Sequence, residues 1–571
     1  MKKIIPVVIA VSLLLLIACG MVGFKLLEKY MPTKEEADLN ALYQVEDGQT
    51  TIFYNYEMQD AKGIYENGQT YLPISWVNQY INKRFYWDNK EQLLVYTLPN
   101  QIVYADAETK GSNGSPLLLV KNDQVYLTLG LIANYSDVQI EAFDGGAVRR
   151  VFLTDWGTRN VTVVQKDGRV REKGGIKSPI VAEIAKDSQV TVLETMETWS
   201  EIMTADGHMG YIENKYLGEI KEQLFASGRQ PEVYAGTSLD EKVVLGWHQV
   251  TNADANQYLD QVLEGTEGLN VISPTWFSLT DNNGGYKSLA SKAYVDRAHE
   301  LGLQVWALLD NFSDDVQTEV LLSSTSTRRK LINSLMEEVE TYNLDGLNMD
   351  FEELKPEAGV HYIQFLRELS IPCREKGIVL SVDNYVPIAS NKFYDRKEQG
   401  IVVDYVIIMG YDEHFAGSAE SGSVASIGFV REGIEKTLEE VPAEKVINAV
   451  PFYTRLWKET PKTEEEIARE DTNVVDYQFI PYKLSSEALG MSAVDRALEV
   501  NGAEPVWNEE CQQYYAEYVN NGITYKVWME EERSIEEKAK LLKEYNLAGI
   551  AAWKLGLERS SVWDVILKYV N

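Results

Sequence analysis

The chain has 571 residues, with 54 Lys and Arg against 87 Asp and Glu, which gives a formal net charge of −33 at pH 7. A surface this acidic repels nucleic acid and anionic polymers, so we expect no nucleic-acid partner. The length predicts about two to four domains. Three Cys and five scattered His exclude a disulfide framework and show no metal-ligand spacing, so no cofactor is expected.

Residues 1–35 predict a membrane anchor or signal. Lys2 and Lys3 precede an apolar run from Ile4 to Phe24, and a charged segment follows. A run of this length with a positive flank predicts an uncleaved transmembrane helix, with the remainder of the chain outside the bacterial cell membrane. Leu16–Cys19 resembles a bacterial lipobox, so cleavage and lipid attachment at Cys19 is the alternative. Both interpretations predict a tethered protein whose domains face the cell wall.

Residues 36–156 form the next predicted domain, which contains a weak internal duplication. Thr70–Ile74 and Val125–Leu129 each predict the opening of a short helix, and aromatic strands follow. The pattern resembles the N-terminal domain of copper amine oxidases. This segment contains no His and no Cys. We therefore expect a spacer or a substrate-contacting domain without a copper site.

Residues 157–222 predict short strands separated by Gly and Asp turns. Val192–Glu194, Trp199–Ile202 and Gly210–Ile212 carry a resemblance to bacterial SH3 domains. The resemblance implies that the domain binds cell-wall peptide or glycan. The alternative is a spacer barrel with Trp199 in its core. A polar linker, 223–240, separates this domain from the last one.

From residue 241 to 571, apolar segments alternate with amphipathic helical segments, which predicts the α/β class and a (β/α)8 TIM barrel. Thr327–Thr341 and Ser534–Tyr545 are typical of the helices that cover such a barrel. An Asn-Gly turn at Asn521 predicts a hairpin in a small α/β insertion before the last strand. The eight predicted strands are Val243–Val250, Asn270–Leu279, Gln304–Asp310, Gly346–Glu352, Val379–Tyr385, Tyr405–Tyr411, Val446–Tyr453 and Gly549–Leu555.

The fourth predicted strand carries polar residues on one face. With a period of two, Asn348, Asp350 and Glu352 point one way, while the apolar residues between them point the other. Buried carboxylates are costly unless they are paired or used in catalysis. One interpretation is a strand end that extends into solvent. The other is a barrel strand whose last inward residue, Glu352, emerges at the catalytic rim.

This segment resembles the signature of glycoside hydrolase family 18, the chitinase-like barrels, whose fourth strand reads D-G-x-D-x-D-x-E. Asp345, Gly346, Asp350 and Glu352 match the signature, whereas Asn348 stands where the family most often has Asp. The form with Asn resembles the branch that cuts bacterial peptidoglycan, including spore-cortex N-acetylglucosaminidases. Further matches at later strand ends are Tyr411 and Asp412 on the sixth strand, Tyr453 and Arg455 on the seventh, and Trp553 on the eighth.

The resemblance implies a retaining glycosidase in which the N-acetyl group of the substrate acts as the nucleophile. Glu352 would be the general acid and base, Asp350 would orient the acetamido group, and Tyr411 would hold its carbonyl oxygen. The residues that would bind the sugar are Asn348, Asp412, Tyr453, Arg455 and Trp553. We expect Asn348 to change the pKa of Asp350, because an amide cannot relay a proton. Asp345 is expected to fix the turn backbone.

We therefore expect a surface-anchored glycosidase that hydrolyses β-1,4 bonds next to N-acetylglucosamine in peptidoglycan. A chitinase or chitooligosaccharide hydrolase is one alternative, with the same chemistry on another polymer. A catalytically inactive carbohydrate-binding barrel is the other. The presence of Glu352, Asp350 and Tyr411 favours an enzyme, because lectin-like members of the family usually lack the acid.

Overall fold

The structure is a computed structural model that describes residues 5–145, 148–469 and 479–570. The chain divides into two compact units, which are Met1–Tyr86 with Tyr104–Pro231, and Trp87–Val103 with Glu232–Asn571. The candidate site lies in the second unit.

The first unit contains two seven-stranded sheets. In one of them, strands Gln69–Pro73 and Gln124–Thr128 pair antiparallel, and each leads directly into a short helix, Ile74–Tyr80 or Leu129–Tyr135. These two strand–helix units confirm that both predicted segments open a helix. The other strands of this sheet are Gln49–Tyr54, Glu57–Glu66, Leu118–Lys121, Gln139–Phe143 and Arg149–Thr154.

The second sheet occupies the predicted SH3-like segment. Its core contains Val170, Ile202 and Ile212, all fully buried. Trp199 is only half-buried and lines a cavity of about 590 Å³ together with Arg171, so the alternative that places this Trp in the core is wrong. The strands are Gly157–Val163, Gly168–Arg171, Ile180–Ile184, Gln189–Thr195, Trp199–Thr204, Met209–Glu213 and Lys221–Phe225.

The N-terminal segment forms a helix, Ile5–Tyr30, and a second short helix, Leu39–Leu42, follows it. The first helix includes the charged residues Lys25, Glu28 and Lys29. Among the residues that the structure describes, none of the helices combines the length and the apolar character that crossing a membrane requires. The predicted transmembrane anchor is therefore not supported.

The second unit is built on a closed barrel of eight parallel strands, and the (β/α)8 prediction is confirmed. Each strand pairs with the next in the chain, and the last closes onto the first through Val243 and Gly549. The strands are β1 Val243–His248, β2 Val271–Leu279, β3 Gln304–Asp310, β4 Gly346–Asp350, β5 Val379–Tyr385, β6 Tyr405–Met409, β7 Val446–Pro451 and β8 Gly549–Trp553.

Two apolar layers fix the barrel. Inward side chains such as Leu245, Trp306 and Ile407 fill its interior, and a larger cluster lies between the strands and the helices. Gly346 opens β4 because a Cβ there would lie 2.6 Å from the ring of Trp306. The α-helices outside the strands are Leu259–Val262, Lys292–Glu300, Thr318–Leu322, Thr325–Tyr342, Gly359–Lys376, Arg396–Val402, Ile427–Leu438, Glu532–Glu544 and Ser561–Val570.

The predicted insertion lies between β7 and β8. It contains the expected hairpin, Gln513–Asn520 with Ile523–Met529, and the turn includes Asn521 and Gly522 in positive-φ conformations. A helix, Met491–Asn501, precedes this hairpin in the chain. The remaining elements of the insertion are Tyr453–Pro461, Glu464–Ala468, Tyr482–Gly490 and Val506–Asn508.

Residues 87–103 belong to the second unit although they precede the barrel by more than a hundred residues. The carboxylate of Asp88 accepts hydrogen bonds of 2.6 Å from both the backbone N–H and the hydroxyl of Thr325, at the start of the helix after β3. Gln364 donates to the hydroxyl of Thr97 at 3.0 Å. This segment therefore caps and covers part of the outer helical layer.

Candidate active site

Strand β4 brings its polar face into the barrel, as the alternation predicts. All five residues of β4 are buried, and Asn348 and Asp350 face the interior. The strand ends at Asp350, so Glu352 lies in the loop at the carboxyl end of the barrel and is only partly buried. Carboxyl ends of barrel strands are where catalytic residues of this architecture lie. The alternative of a strand that extends into solvent is wrong.

The backbone of Glu352 is held from both sides by Asn311, which follows β3. The Oδ1 of Asn311 accepts from the N–H of Glu352 at 2.9 Å, and its Nδ2 donates to the carbonyl of Glu352 at 2.9 Å. The hydroxyl of Tyr385, at the end of β5, donates to Oε2 of Glu352 at 2.5 Å. These three contacts fix the carboxyl group at the mouth of the barrel.

Burial raises the pKa of Glu352, and the hydrogen bond from Tyr385 partly opposes this shift. The negative charges of Asp412, Glu353 and Asp310 raise the pKa further. A carboxyl group with a raised pKa stays protonated closer to neutral pH, as a general acid requires. Glu352 therefore has the environment of a proton donor.

Asp350 lies deeper than Glu352 and is 6% exposed. Burial raises its pKa well above the usual range, and the charges of Asp383, Glu352 and Asp310 act in the same direction. Its Oδ1 is buried and has no hydrogen-bond partner among the described residues. Buried polar atoms in native structures are paired in the great majority of cases. This oxygen is therefore an unsatisfied acceptor in the barrel interior.

Asn348 is fully buried below Asp350 and uses both ends of its amide. Its Oδ1 accepts from the indole N–H of Trp247 at 3.0 Å and from the hydroxyl of Ser273 at 3.3 Å. Its Nδ2 donates to the hydroxyl of Ser381 at 3.0 Å and to Oδ1 of Asp383 at 2.9 Å. Asn348 thus has four partners in the barrel interior, which leaves it no free group for a sugar.

The later strand ends contribute an aromatic wall. Tyr411 and Tyr453 pack edge to face, with ring centroids 6.3 Å apart, and burial raises the pKa of both. Tyr453 donates to Oδ1 of Asp412 at 2.5 Å. Arg455 lies 3.9 Å from the same carboxylate. Trp553 is half-buried at the end of β8, with its ring centroid 5.9 Å from that of Trp247.

The structure brings the predicted catalytic residues to one end of the barrel and places Asp345 elsewhere. Asp345 lies just before β4, where its carboxylate accepts from the N–H of Val305 and pairs with His299, both at 2.8 Å. It fixes backbone at the opposite end of the strand, as expected. The side chains that the sequence analysis missed are Asp310, Asn311, Asp383 and Tyr385. In the sequence, these four are polar residues at or just after the carboxyl ends of the third and fifth predicted strands, and this position could have identified them.

The aromatic residues of the insertion pack against one another. Tyr515 and Trp528 form a cross-strand pair with centroids 4.8 Å apart, and Trp507 contacts Tyr514 at 5.1 Å. Such pairs stabilise an antiparallel sheet, as expected for this hairpin. A cavity of about 460 Å³ lies next to Glu352, between the loops that follow β3 and β4. The exposed ring of Phe312 lines it.

The two histidines near barrel strand ends have protein partners. His248 lies 2.9 Å from the hydroxyl of Tyr294, and burial lowers its pKa to about 4. His414 lies 2.9 Å from the carbonyl of Ser423. Within the described ranges, no group of three or more His, Cys, Asp or Glu is arranged to hold a metal ion. These contacts account for both rings without a ligand.

Two family models match the chain. The model described as glycosyl hydrolases family 18 matches residues 296–558, and the model described as bacterial SH3 domain matches residues 166–218. The first match contains β4 and the later barrel strands. The resemblances to glycoside hydrolase family 18 and to bacterial SH3 domains are thereby confirmed.

Curated relatives and solved structures agree with the family match. A Bacillus subtilis (strain 168) protein named as a sporulation-specific glycosylase, YdhD, is 32% identical over 251 residues, which cover 43% of this chain and 55% of that protein. The cortical fragment-lytic enzyme of the same organism is 28% identical over 270 residues, covering 46% of this chain and 57% of the enzyme. The chain thus spans just over half the length of these relatives.

Among solved structures, the Bacillus cereus spore cortex-lytic enzyme SleL is similar with a TM-score of 0.50 and 21% identity, covering 64% of this chain and 78% of that one. At this level of identity the likeness supports the fold alone. It agrees with the closed eight-stranded barrel described above.

Proposed function

Because residues 296–558 match the model of glycosyl hydrolases family 18, we propose that this protein hydrolyses β-1,4 bonds next to N-acetylglucosamine in peptidoglycan, with retention of configuration. The observation that carries the proposal is that Glu352 and Asp350 lie together at the mouth of the barrel. Both carboxyl groups have raised pKa values, and Asp350 has a buried oxygen with no partner among the described residues.

In the first step, the carboxyl group of Glu352 protonates the glycosidic oxygen, and the bond from this oxygen to the anomeric carbon breaks. The carbonyl oxygen of the sugar's own N-acetyl group attacks that carbon and forms a cyclic oxazolinium. No second carboxylate is needed as a nucleophile, because this family uses the substrate instead.

Asp350 orients the acetamido group in this step. Its carboxyl group accepts from the acetamido N–H, which fixes the carbonyl for attack and stabilises the positive charge that develops on the ring. Tyr411 follows β6 at the same end of the barrel. Its hydroxyl holds the carbonyl oxygen, and the raised pKa keeps this hydroxyl protonated. Trp553 provides an apolar floor beneath the sugar ring.

In the second step, Glu352 acts as the base. The ionised carboxylate takes a proton from water, the oxygen of that water attacks the anomeric carbon, and the oxazolinium opens. Two successive inversions at the same carbon retain its configuration. Tyr385 stabilises the ionised form through its hydrogen bond to Oε2, so one residue serves in both protonation states.

Peptidoglycan is the substrate that the relatives favour. The cortical fragment-lytic enzyme and the sporulation-specific glycosylase carry names that refer to the spore and its cortex. The net charge of −33 disfavours binding through anionic wall polymers, so recognition must use neutral sugar units. The SH3 domain is proposed to hold the protein on the same wall.

We also propose that the barrel acts outside the cytoplasm, attached to the membrane through the N-terminal segment. The support is the sequence alone, namely Lys2 and Lys3 before the apolar run and the lipobox-like Leu16–Cys19. Protease added to intact cells should degrade the full chain. Radiolabelled fatty acid incorporated in the wild type and absent from Cys19→Ser would identify lipid attachment at Cys19, and resistance to protease would contradict the external location.

The test of the activity is the digestion of purified cell walls by the full chain, followed by analysis of the released muropeptides. A new reducing end at N-acetylglucosamine with the β-configuration is the expected result. Glu352→Gln serves as the matched inactive variant. Cleavage of chitin oligomers without cleavage of walls would favour the chitinase alternative, and binding of N-acetylglucosamine oligomers without cleavage would favour the inactive barrel.

A further inference from the structure

Three aspartates occupy one row across the mouth of the barrel. Asp310 on β3 is the registered partner of Asp350 on β4, and Asp383 on β5 follows the registered pair Met349 and Val382. Neighbouring residues in register on parallel strands face the same side, with their strands about 4.8 Å apart. All three carboxyl groups therefore share the interior space below Glu352.

The three aspartates differ in their partners. Asp310 accepts from the N–H of Phe312 at 3.1 Å and from the hydroxyl of Ser278 at 2.8 Å, so both of its oxygens are bonded. Asp383 accepts from Asn348 at 2.9 Å through Oδ1 and is 2% exposed. The Oδ1 of Asp350 has no partner among the described residues.

The orientation of the Asn348 amide is determined by its surroundings. The indole N–H of Trp247 can only donate, so the atom that faces it must be the amide oxygen. The amide nitrogen then faces Asp383 and donates to it. A hydrogen bond donated to a carboxylate favours its ionised form. Asn348 thus favours the negative charge on Asp383 and leaves Asp350 as the member of the pair that holds a proton.

Among the described residues, the charged groups that act on the pair are all acids. Two neighbouring buried carboxylates without a cation cannot both ionise near neutral pH, as in other enzymes where two carboxyl groups share one proton. The titratable groups that face the pair from the surrounding elements are Asp310, Glu352, Tyr362, Tyr394 and Tyr411, all of them acids.

We propose that Asp383 is a positioning residue of this active site, which accepts a hydrogen bond from the protonated oxygen of Asp350 and so turns the other oxygen of Asp350 toward the substrate. One proton is held between the two carboxyl groups, and no other bond is made or broken. The inference rests on the proposed function of the barrel.

The first test is Asp383→Asn in the full chain. Without the second carboxylate, Asp350 loses a like charge and its pKa falls, so Asp350 loses its proton at lower pH. The alkaline limb of kcat/KM on an N-acetylglucosamine tetramer should move to lower pH by about one unit or more. The value of kcat should fall about tenfold while KM changes little, because the ground-state contacts of the sugar remain.

The second test exchanges the two side chains across their hydrogen bond. Asn348→Asp combined with Asp383→Asn keeps one carboxyl and one amide beside Asp350. If a carboxylate partner is what Asp350 needs, the double variant should recover the wild-type pH profile and most of kcat. Asp310→Asn is the matched control, because it removes another carboxylate of the same row whose oxygens are already bonded; it should move the alkaline limb less.

Infrared spectroscopy measures the shared proton without turnover. The carbonyl stretch of the protonated Asp350, identified as the band that Asp350→Asn lacks, should persist at neutral pH in the wild type and disappear in Asp383→Asn. An unchanged infrared band and an unchanged pH profile in a folded Asp383→Asn variant would overturn the proposal, even if kcat falls. Loss of the band in the variant together with a wild type that cleaves no glycan would retain the shared proton and reject the proposed function instead.

Discussion

Buried charges occur in two regions of the barrel, and they differ in what surrounds them. In the outer helical layer, Arg328 and Glu368 are 0% and 2% exposed, and their side chains meet at 2.8 Å. In the mouth, Asp350 and Asp383 are buried to a similar degree, and the charged groups that act on them among the described residues are all acids. Charges paired within the protein stabilise a fixed structure, whereas the unpaired ones favour proton uptake and contact with a substrate.

The largest effect is expected from Glu352→Gln. The amide keeps the shape of the side chain but cannot give up or take a proton, and one residue serves both steps of the proposed reaction. General acid and base groups contribute about 10²–10⁴-fold to rates, and we expect a loss near the upper end of this range. The measurement is kcat/KM on N-acetylglucosamine oligomers, with binding followed separately.

Glu357→Gln is the matched control for this variant. It makes the same chemical change on an exposed side chain in the turn that follows the β4 loop. Its kcat/KM should stay within a few-fold of the wild type. Turnover by Glu352→Gln close to that of Glu357→Gln would show that the reactive acid lies elsewhere.

A substitution in the outer helical layer should lower the stability of the fold and leave the activity unchanged. Arg328→Met leaves Glu368 buried without its cation, and removing one partner of a buried pair costs about 3–5 kcal/mol. Arg328 also donates to the carbonyl of Leu322 at 2.7 Å and to the hydroxyl of Thr325 at 3.0 Å. The free energy of unfolding should fall by this amount, while kcat/KM below the melting range stays unchanged.

The exposed pair of Lys292 and Asp296 provides the comparison for this measurement. Its side chains are 51% and 56% exposed, and surface pairs contribute at most about 1 kcal/mol. Lys292→Met should therefore change the free energy of unfolding by less than 1 kcal/mol. Equal losses for Arg328→Met and Lys292→Met would contradict the distinction between buried and exposed pairs.

The fold followed from the sequence because its signals are local. Alternation along β4 and the Asn-Gly turn at Asn521 depend on near neighbours in the chain, and both predictions are confirmed. The contacts of Glu352 with Asn311 and Tyr385 join residues that are 41 and 33 positions apart. Only the closure of the barrel determines which polar strand ends meet, so periodicity could not assign partners to these residues.

The segment 87–103 illustrates the same limit. The sequence placed it inside the domain 36–156, and no local pattern indicates that Asp88 reaches Thr325, which lies 237 positions away. Its contacts with the barrel are side-chain hydrogen bonds of single residues, such as that between Thr97 and Gln364. Contacts of this kind have no periodicity in the chain.

Asp350→Asn should separate activity from stability. The variant loses the carboxylate that receives the acetamido N–H, and loss of one such electrostatic contact lowers rates by about 10²–10³-fold. The pKa of Asp350 is raised in the folded state, so its contribution to stability is greatest at low pH and is lost as pH rises through the folded value. Replacing it with a neutral amide should therefore raise the melting temperature at neutral pH.

This gain should shrink as the pH is lowered, because the wild-type carboxyl group becomes neutral as well. Melting curves from acidic to neutral pH measure the trend. A melting temperature that falls at neutral pH would mean that the hydrogen bonds of the Asp350 carboxyl group outweigh the cost of its burial, and the contrast between the two regions would then be wrong.

The smallest effect is expected from Tyr385→Phe. The Tyr385 hydroxyl donates to Oε2 of Glu352 at 2.5 Å and lowers the pKa of a carboxyl group that burial raises. Without this donor the pKa of Glu352 rises, so Glu352 stays protonated to higher pH. The alkaline limb of kcat/KM should therefore move up by about one pH unit, since a hydrogen bond to a charged group contributes about 1.5 kcal/mol.

The ring of Tyr385 remains to pack against Tyr394, so folding should be preserved and the maximal rate should fall less than about tenfold. Tyr394→Phe is the matched control, because its hydroxyl donates to the backbone carbonyl of Phe351 and not to the acid. A downward shift of the alkaline limb in Tyr385→Phe, or the same upward shift in both variants, would show that the hydroxyl of Tyr385 does not set the proton affinity of Glu352.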